Sequence, residues 1–316
     1  MANYLVRRFL WMIVVIFGVS VIVFGLIHLT PGDPAQIMLG PSASMDDVRE
    51  LQHQLGLDRP ITVQYMHWIG RALQGDLGES IVLRRSVLGE VLDRFGNTAI
   101  LAGTAMLISF TLGIALGVVS AVRRGSSIDR LVILAATGGL SLPSFWFGLM
   151  LIILFSVRLG WLPGTGMTSA VNGGSLVDIG KHLILPSVAL AVVPMAVIAR
   201  YTRSSMLEVL GQDYVRTARA KGLRERVVIG RHVFRNTLVA LVTMLGLQVG
   251  FLLAGAVYIE NVFSWPGIGQ MLVDAILKRD FPLVQGGVLL VATVYVVVNL
   301  VTDLLYAFLD PHIRLA

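Results

Sequence analysis

Residues 98–122 read TAILAGTAMLISFTLGIALGVVSAV, twenty-five positions from Thr98 to Val122 without one Asp, Glu, Lys or Arg. A helix of that length, at about 1.5 Å per residue, crosses the roughly 30 Å of hydrocarbon in a bilayer. Five further runs share the character: Phe9–Leu29, Leu131–Val157, Leu183–Ala199, Leu238–Ile259 and Leu283–Thr302. Leu183–Ala199 is the shortest and holds Pro186 and Pro194, which spans tolerate because neighbouring helices satisfy the freed carbonyls. The pattern predicts an all-α integral membrane protein with six transmembrane helices. Only 14% of the 316 residues are charged and 55% are apolar, with a mean hydropathy of +0.79. A soluble domain carries about a quarter charged residues. The first run follows Arg7 and Arg8 and is too long for a signal-peptide core, so it reads as a retained first span.

The charges orient the spans. With the N-terminus inside, residues 1–8, 123–130, 200–237 and the tail hold 15 Lys and Arg against 6 Asp and Glu, while the outer segments hold 10 against 13. By the positive-inside rule both termini are cytoplasmic. The outer loop, residues 30–97, carries helical patterns at Met45–Leu57, Ile61–Leu73 and Ser86–Phe95, with a turn at Gly75–Gly78. These either form a small helical cap or lie flat at the membrane interface. Gly113 and Gly117, and Gly246 and Gly250, have the four-residue spacing that lets helices approach closely.

Several chemistries have no residues to carry them. The chain holds no cysteine, and no Walker A loop binds nucleotide. The spans hold no acidic relay, the six histidines form no paired metal motif, and Glu260 and Asp303 at span ends read as snorkelling groups. No catalytic, metal or cofactor site is expected, and the chain is not expected to be an enzyme. If such a chain moves solutes against a gradient, it must take its energy from a partner, which needs a docking element.

The candidate is the one long cytoplasmic segment, Arg200 to Thr237. Asp213 is placed to cap a helix, Gly222 to end it, and Glu225–Phe234 to form a second helix leading back to the membrane. Arg219 and Lys221 suit the negative end of the first helix, and the small Ala218 and Ala220 would admit a close partner. A DNA-binding helix-turn-helix is disfavoured by the tether at both ends, and no nucleic-acid partner is expected.

Tyr214-Val-Arg-Thr-Ala-Arg-Ala-Lys-Gly222-Leu resembles the "EAA" loop of permeases in ATP-binding-cassette importers, within the dipeptide, oligopeptide, nickel and glutathione family. Arg216, Thr217 and Ala218 stand where the general pattern has Glu-Ala-Ala, and Phe234-Arg235-Asn236 where it ends in Leu-Pro, as in the peptide subgroup. Other tags follow in family order: Leu29-Thr-Pro-Gly-Asp33-Pro, Leu55-Gly-Leu-Asp58-Arg-Pro60, Gln74-Gly-Asp76-Leu-Gly78-Glu-Ser80, Phe263-Ser-Trp265-Pro266-Gly267-Ile-Gly269 and Asp310-Pro311-x-Ile-Arg314.

The resemblance implies a type I importer permease fold in a bacterial cytoplasmic (inner) membrane. It divides the chain into a tail and first helix (1–29), an extracytoplasmic helical region (30–97), a five-helix transmembrane domain (98–309, with the coupling loop at about 200–237) and a cytoplasmic tail (310–316). It implies a second, non-identical permease, two ATPase subunits that use ATP and Mg, and an extracytoplasmic solute-binding protein. In the coupling loop it points to Asp213, Tyr214, Arg216, Thr217, Ala218, Arg219, Ala220, Lys221, Gly222, His232, Arg235 and Asn236. The implied cargo is a short peptide, with glutathione or nickel as alternatives, and a passive channel subunit is the reading from another class. A polar, uncharged path would draw on Ser109, Ser141, Ser144, Thr243 and Gln248, each of which could instead bond between helices.

Overall fold

A computed structural model describes residues 2–29, 36, 39, 44–56, 58–169 and 174–309. The described residues are helical apart from turns and one isolated bridge between Glu79 and Ser86. The helices are α1 (Ala2–Leu29), α2 (Met45–Leu55), α3 (Ile61–Leu73), α4 (Val87–Val122), α5 (Ser127–Ser141), α6 (Ser144–Leu151), α7 (Leu176–Leu210), α8 (Asp213–Ala220), α9 (Arg235–Phe263), α10 (Ile268–Leu277) and α11 (Phe281–Leu309). π-helical stretches follow α6 at Ile152–Arg158 and precede α9 at Val228–Phe234.

Among the described residues five helices are long and apolar enough to cross a membrane, and the bent pair Ser127–Ser141 with Ser144–Arg158 makes a sixth if counted as one span. The run Leu131–Val157 is thus not one continuous helix, because the pair bends by 104°. Pro143 is the cause: its ring disfavours the helical region for the residue before it, and Leu142 is extended at φ −92, ψ 128. The Ser86–Phe95 stretch is also not a separate element. It forms the first turns of α4, whose 36 residues span roughly 54 Å at 1.5 Å per residue.

The chain divides into two compact units. The first comprises residues 1–97 and 267–297. In it α3 packs on α1, where Ser20 Oγ and Tyr65 Oη lie 2.8 Å apart and Phe24 meets the rings of Tyr65 and Trp68. Val87 and Val91 at the start of α4 form a core with Ile268, Met271 and Ala275 of α10 and Leu283 of α11.

The second unit comprises residues 98–266 and 298–316. Its centre is α7, against which α5, α6 and α9 pack. The shortest apolar run is therefore the most enclosed, and both of its prolines are buried inside an unbroken helix. Gly113, Gly117 and Gly246 mark close approaches. A Cβ on Gly113 would come within 2.9 Å of the Met195 carbonyl, and one on Gly117 within 2.6 Å of the Ala199 carbonyl. Gly246 leaves the room that the Thr302 side chain occupies. Because a backbone carbonyl blocks the way, Gly117→Val should push α4 from α7 and cost about 1–3 kcal/mol, read as a lowered melting temperature in detergent. An unchanged melt would mean the contact does not constrain the pair.

Glu260 corrects another expectation. It is fully buried rather than reaching for water, and it accepts a 2.6 Å hydrogen bond from Thr98 Oγ1.

Candidate functional site

The segment after α7 folds back on its own helices. Leu210 ends α7, Gln212 is extended at φ −74, ψ 147, and α8 begins at Asp213. The cap position is therefore Gln212, which makes no side-chain capping bond, and not Asp213 as expected. Asp213 lies in the first turn, where its charge suits the helix dipole and its carboxylate sits 3.4 Å from Arg216.

Gly222 ends α8 in the left-handed region, at φ +77. Its N–H donates to the Arg219 carbonyl at 2.9 Å and that of Leu223 to the Ala218 carbonyl at 3.4 Å, closing the carbonyls that a helix end leaves unpaired. Arg224 then starts a second helix. It does not stop at Phe234 as expected but runs from Glu225 through the π-helical stretch directly into α9. A π-turn adds a residue per turn without breaking the rod, so the loop and the following span form one continuous helical path.

One face of this hairpin is a small core. Val215 and Ala218 of α8 pack with Ala121, Met206, Val228 and Val233. Ala218 thus faces the chain's own interior, and the expectation that it would admit a partner fails for it, while Ala220 is exposed. The spacing of Val215 and Ala218, three apart on a helix, carried that signal.

The opposite face is exposed and carries Tyr214, Arg216, Thr217, Arg219, Lys221 and Gly222. Asn236 Nδ2 donates to Tyr214 Oη at 2.8 Å, tying α8 to the start of α9, and to the His232 carbonyl at 3.0 Å. Arg235 is exposed beside it and His232 half-buried. Thr217 Oγ1 donates to the Asp213 carbonyl.

Glu225 was read only as a helix start, yet it receives both Arg219 Nη2 at 2.7 Å and Arg219 Nε at 3.2 Å across the glycine turn. The guanidinium holds the Glu225 carboxyl below the usual carboxylate range, and Glu225 in turn raises Arg219. A depressed carboxylate stabilises the fold above its unfolded pKa and loses that contribution as pH falls through the folded one. Both side chains are substantially exposed, so the pair contributes at most about 1 kcal/mol. Arg219→Glu should lower transport two- to threefold, and the swapped pair Arg219→Glu with Glu225→Arg should recover it. Equal loss in single and swapped variants would deny the pair a role.

Near the membrane end, buried Asp129 joins three helices. It accepts from Arg203 at 2.7 and 2.9 Å, from Ser120 Oγ at 2.5 Å and from the Gly125 N–H at 2.8 Å. Charge counting registers Asp129 only as one acidic residue and carries no hint of this partner 74 positions away.

Among the described residues no hydrogen bond joins the candidate path residues to one another. Ser109 is fully buried and donates to the Met106 carbonyl of its own helix. Ser141 is exposed and donates to Thr137, Ser144 is half-buried at the start of α6, and Gln248 is buried on α9. The Thr243 side chain lies outside the described residues, as do the Leu29–Pro34 tag beyond residue 29 and the closing Asp310–Arg314 tag. Among the described residues no three His, Asp or Glu converge as a metal site.

Residues 113–315 match the family described as binding-protein-dependent transport system inner membrane component, and residues 1–102 match the N-terminal family of the same membrane components. The chain is 46% identical to the di/tripeptide transport system permease protein DppB of Pseudomonas aeruginosa (strain UCBPP-PA14), over 99% of both. It is 45% identical to the glutathione transport system permease protein GsiC of Escherichia coli (strain K12), again over 99% of both. An inward-facing structure of the MetNI methionine ABC transporter superposes with a TM-score of 0.54 at 17% identity, covering 70% of this chain and 96% of that one, a likeness of fold.

Proposed function

Because the chain belongs to the binding-protein-dependent transport system inner membrane components, we propose that it forms half of the pore through which short peptides enter the cytoplasm. It is a permease subunit of an ATP-binding-cassette importer in a bacterial inner membrane. In this reading a second, non-identical permease supplies the other half, and a solute-binding protein delivers cargo from outside. Two ATPase subunits bind ATP and Mg and receive the hairpin 213–236 in a surface groove. Closure of the ATPases pulls on α8, and the continuous path from Glu225 into α9 carries that displacement to the spans. A shift between two pore states needs only a few kcal/mol of differential contact.

The observation that carries the hairpin's role is its two-sidedness. One face is packed as a core against the helix ends, and the other presents exposed cations and backbone around Gly222. The cargo rests on near-equal identity to a di/tripeptide permease and a glutathione permease. Both cargoes are short peptides with a free carboxylate, so glutathione stands as the second reading.

The test is uptake in a strain lacking the gene cluster, complemented with and without this chain, using labelled dipeptide, glutathione and nickel. Energy-dependent dipeptide uptake that requires this chain supports the reading. Uptake of nickel alone, or flux that persists without ATP, overturns it.

A further inference from the structure

A cavity of about 450 Å³ opens within the second unit, between α5, α7 and α9. Leu140, Val197 and Met244 wall it with apolar surface. Arg200, Tyr201, Arg203 and Ser204 enter from α7, where Val197, Arg200, Tyr201 and Ser204 share one helical stripe. None of the polar side chains expected to line a path contributes to it.

The two arginines are not equivalent. Both nitrogens of Arg203 that face Asp129 are engaged, and Asp129 is further satisfied by Ser120 and Gly125. That pair is neutral as a unit. The Arg200 side chain forms no hydrogen bond or ion pair among the described residues. No acidic residue lines the cavity. The cavity therefore carries one uncommitted guanidinium against apolar walls, next to a second guanidinium that is already paired. A planar donor fork of this kind matches a carboxylate. A volume near 450 Å³ lies in the range of small-molecule sites.

We infer that this cavity is a subsite for the terminal carboxylate of a short peptide on the cytoplasmic side of the pore, with Arg200 as its anion receptor and the apolar walls receiving the peptide's side chain. The inference rests on the peptide-import reading above. The side follows from the charge asymmetry that places the end of α7 and the hairpin inside. The same chemistry excludes recognition of the peptide's ammonium end, because no acidic residue lines the cavity and Asp129, the partner of its lining residue Arg203, is already spent on that pair. Recognition thus depends on the free carboxylate and tolerates a blocked amine.

The test uses the assembled transporter in nanodiscs without its binding protein. Binding of labelled Ala-Phe is compared with binding of N-acetyl-Ala-Phe and of the C-terminal amide, for the native chain, Arg200→Gln and Arg200→Lys. The two free acids should bind alike, and the amide at least tenfold more weakly. Arg200→Gln should lose binding at least tenfold, while Arg200→Lys, keeping the charge without the fork, should fall between. Size-exclusion profiles of the variant complexes establish that they assemble.

Equal binding of acid and amide, or no change in Arg200→Gln, overturns the inference. So does peptide binding that is absent in discs of phosphatidylglycerol and present in discs of phosphatidylcholine, because the occupant is then an anionic lipid headgroup. The two readings fail separately. A native importer that takes up no peptide removes the substrate reading, whereas one that imports peptide while binding ignores the carboxylate removes only this subsite.

Discussion

A chain carrying Gly222→Val will reach the membrane and assemble with its ATPases, but its peptide uptake will fall at least tenfold while ATP hydrolysis continues. The cause is confined to the backbone. Gly222 sits at φ +77, and a Cβ built there meets no atom within 4 Å, so no clash drives the effect. A residue with a Cβ in the left-handed region costs roughly 1–2 kcal/mol, and a β-branched one is a marked outlier there. The chain escapes that strain by rotating φ to negative values. Rotation breaks the bonds from the Gly222 N–H to Arg219 and from the Leu223 N–H to Ala218. The end of α8 then loses its fixed angle to the helix that continues into α9, and displacement of α8 no longer moves the span. Gly222→Asn is the matching control, since asparagine enters the left-handed region with less penalty and should keep most transport. Peptide uptake and phosphate release are measured on the same proteoliposomes. An unchanged ratio of peptide to ATP in Gly222→Val sinks the coupling role of this turn.

The turn at Gly222 was legible because it depends on one residue's conformational freedom, which is a local property. The six apolar runs were legible for a similar reason, since length and absence of charge are properties of a segment. What the residues could not convey is how a local tendency fares against packing. Pro143 breaks its span, while Pro186 and Pro194 lie inside a continuous α7. All three restrict the residue before them. α7 is held on several sides by α5, α6 and α9, which keep the helix on course despite the missing donors, whereas Leu142 has moved to the extended region.

Glu260 illustrates the same limit. A carboxylate at the edge of an apolar run reads as water-facing, yet α9 continues past it to Phe263, and Phe263 and Trp265 are buried beside it. The edge of the hydropathy pattern is not the edge of the packed core. In the hairpin, the chemistry of the exposed face was read from residue types. The inward turn of Ala218 and the Arg219–Glu225 clasp depend on which way α8 is rolled, and small size alone does not give that rotation.

The second large effect lies in the first unit, at Asp280. Asp280 is 1% exposed and precedes α11 as its cap, with the Leu283 N–H 3.4 Å from Oδ1. The same carboxylate accepts from Ser80 Oγ, from the Ile81 N–H at 3.2 Å and from the Val82 N–H at 3.1 Å. A turn some 200 positions earlier in the chain is thereby pinned to the start of α11. The pin aligns close packing behind it, because Gly286 of α11 leaves only the room that Val87 and Leu77 fill. Asp280→Ala removes every acceptor at once and leaves buried donors without partners. Each such group costs about 1–3 kcal/mol, and loss of a buried charged acceptor about 3–5 kcal/mol in all. Against a net stability of about 5–15 kcal/mol this is a large fraction, and the melting temperature should fall on the order of 10 °C. Asp280→Asn keeps one acceptor oxygen and should lose less than half as much. Local release should also expose the turn at Arg84 and Arg85, both already on the surface, to trypsin at a higher rate. If Asp280→Ala melts and is cleaved like the native chain, the carboxylate is not what holds the turn to α11. In that case the packing of Val87, Leu77 and Gly286 suffices without it.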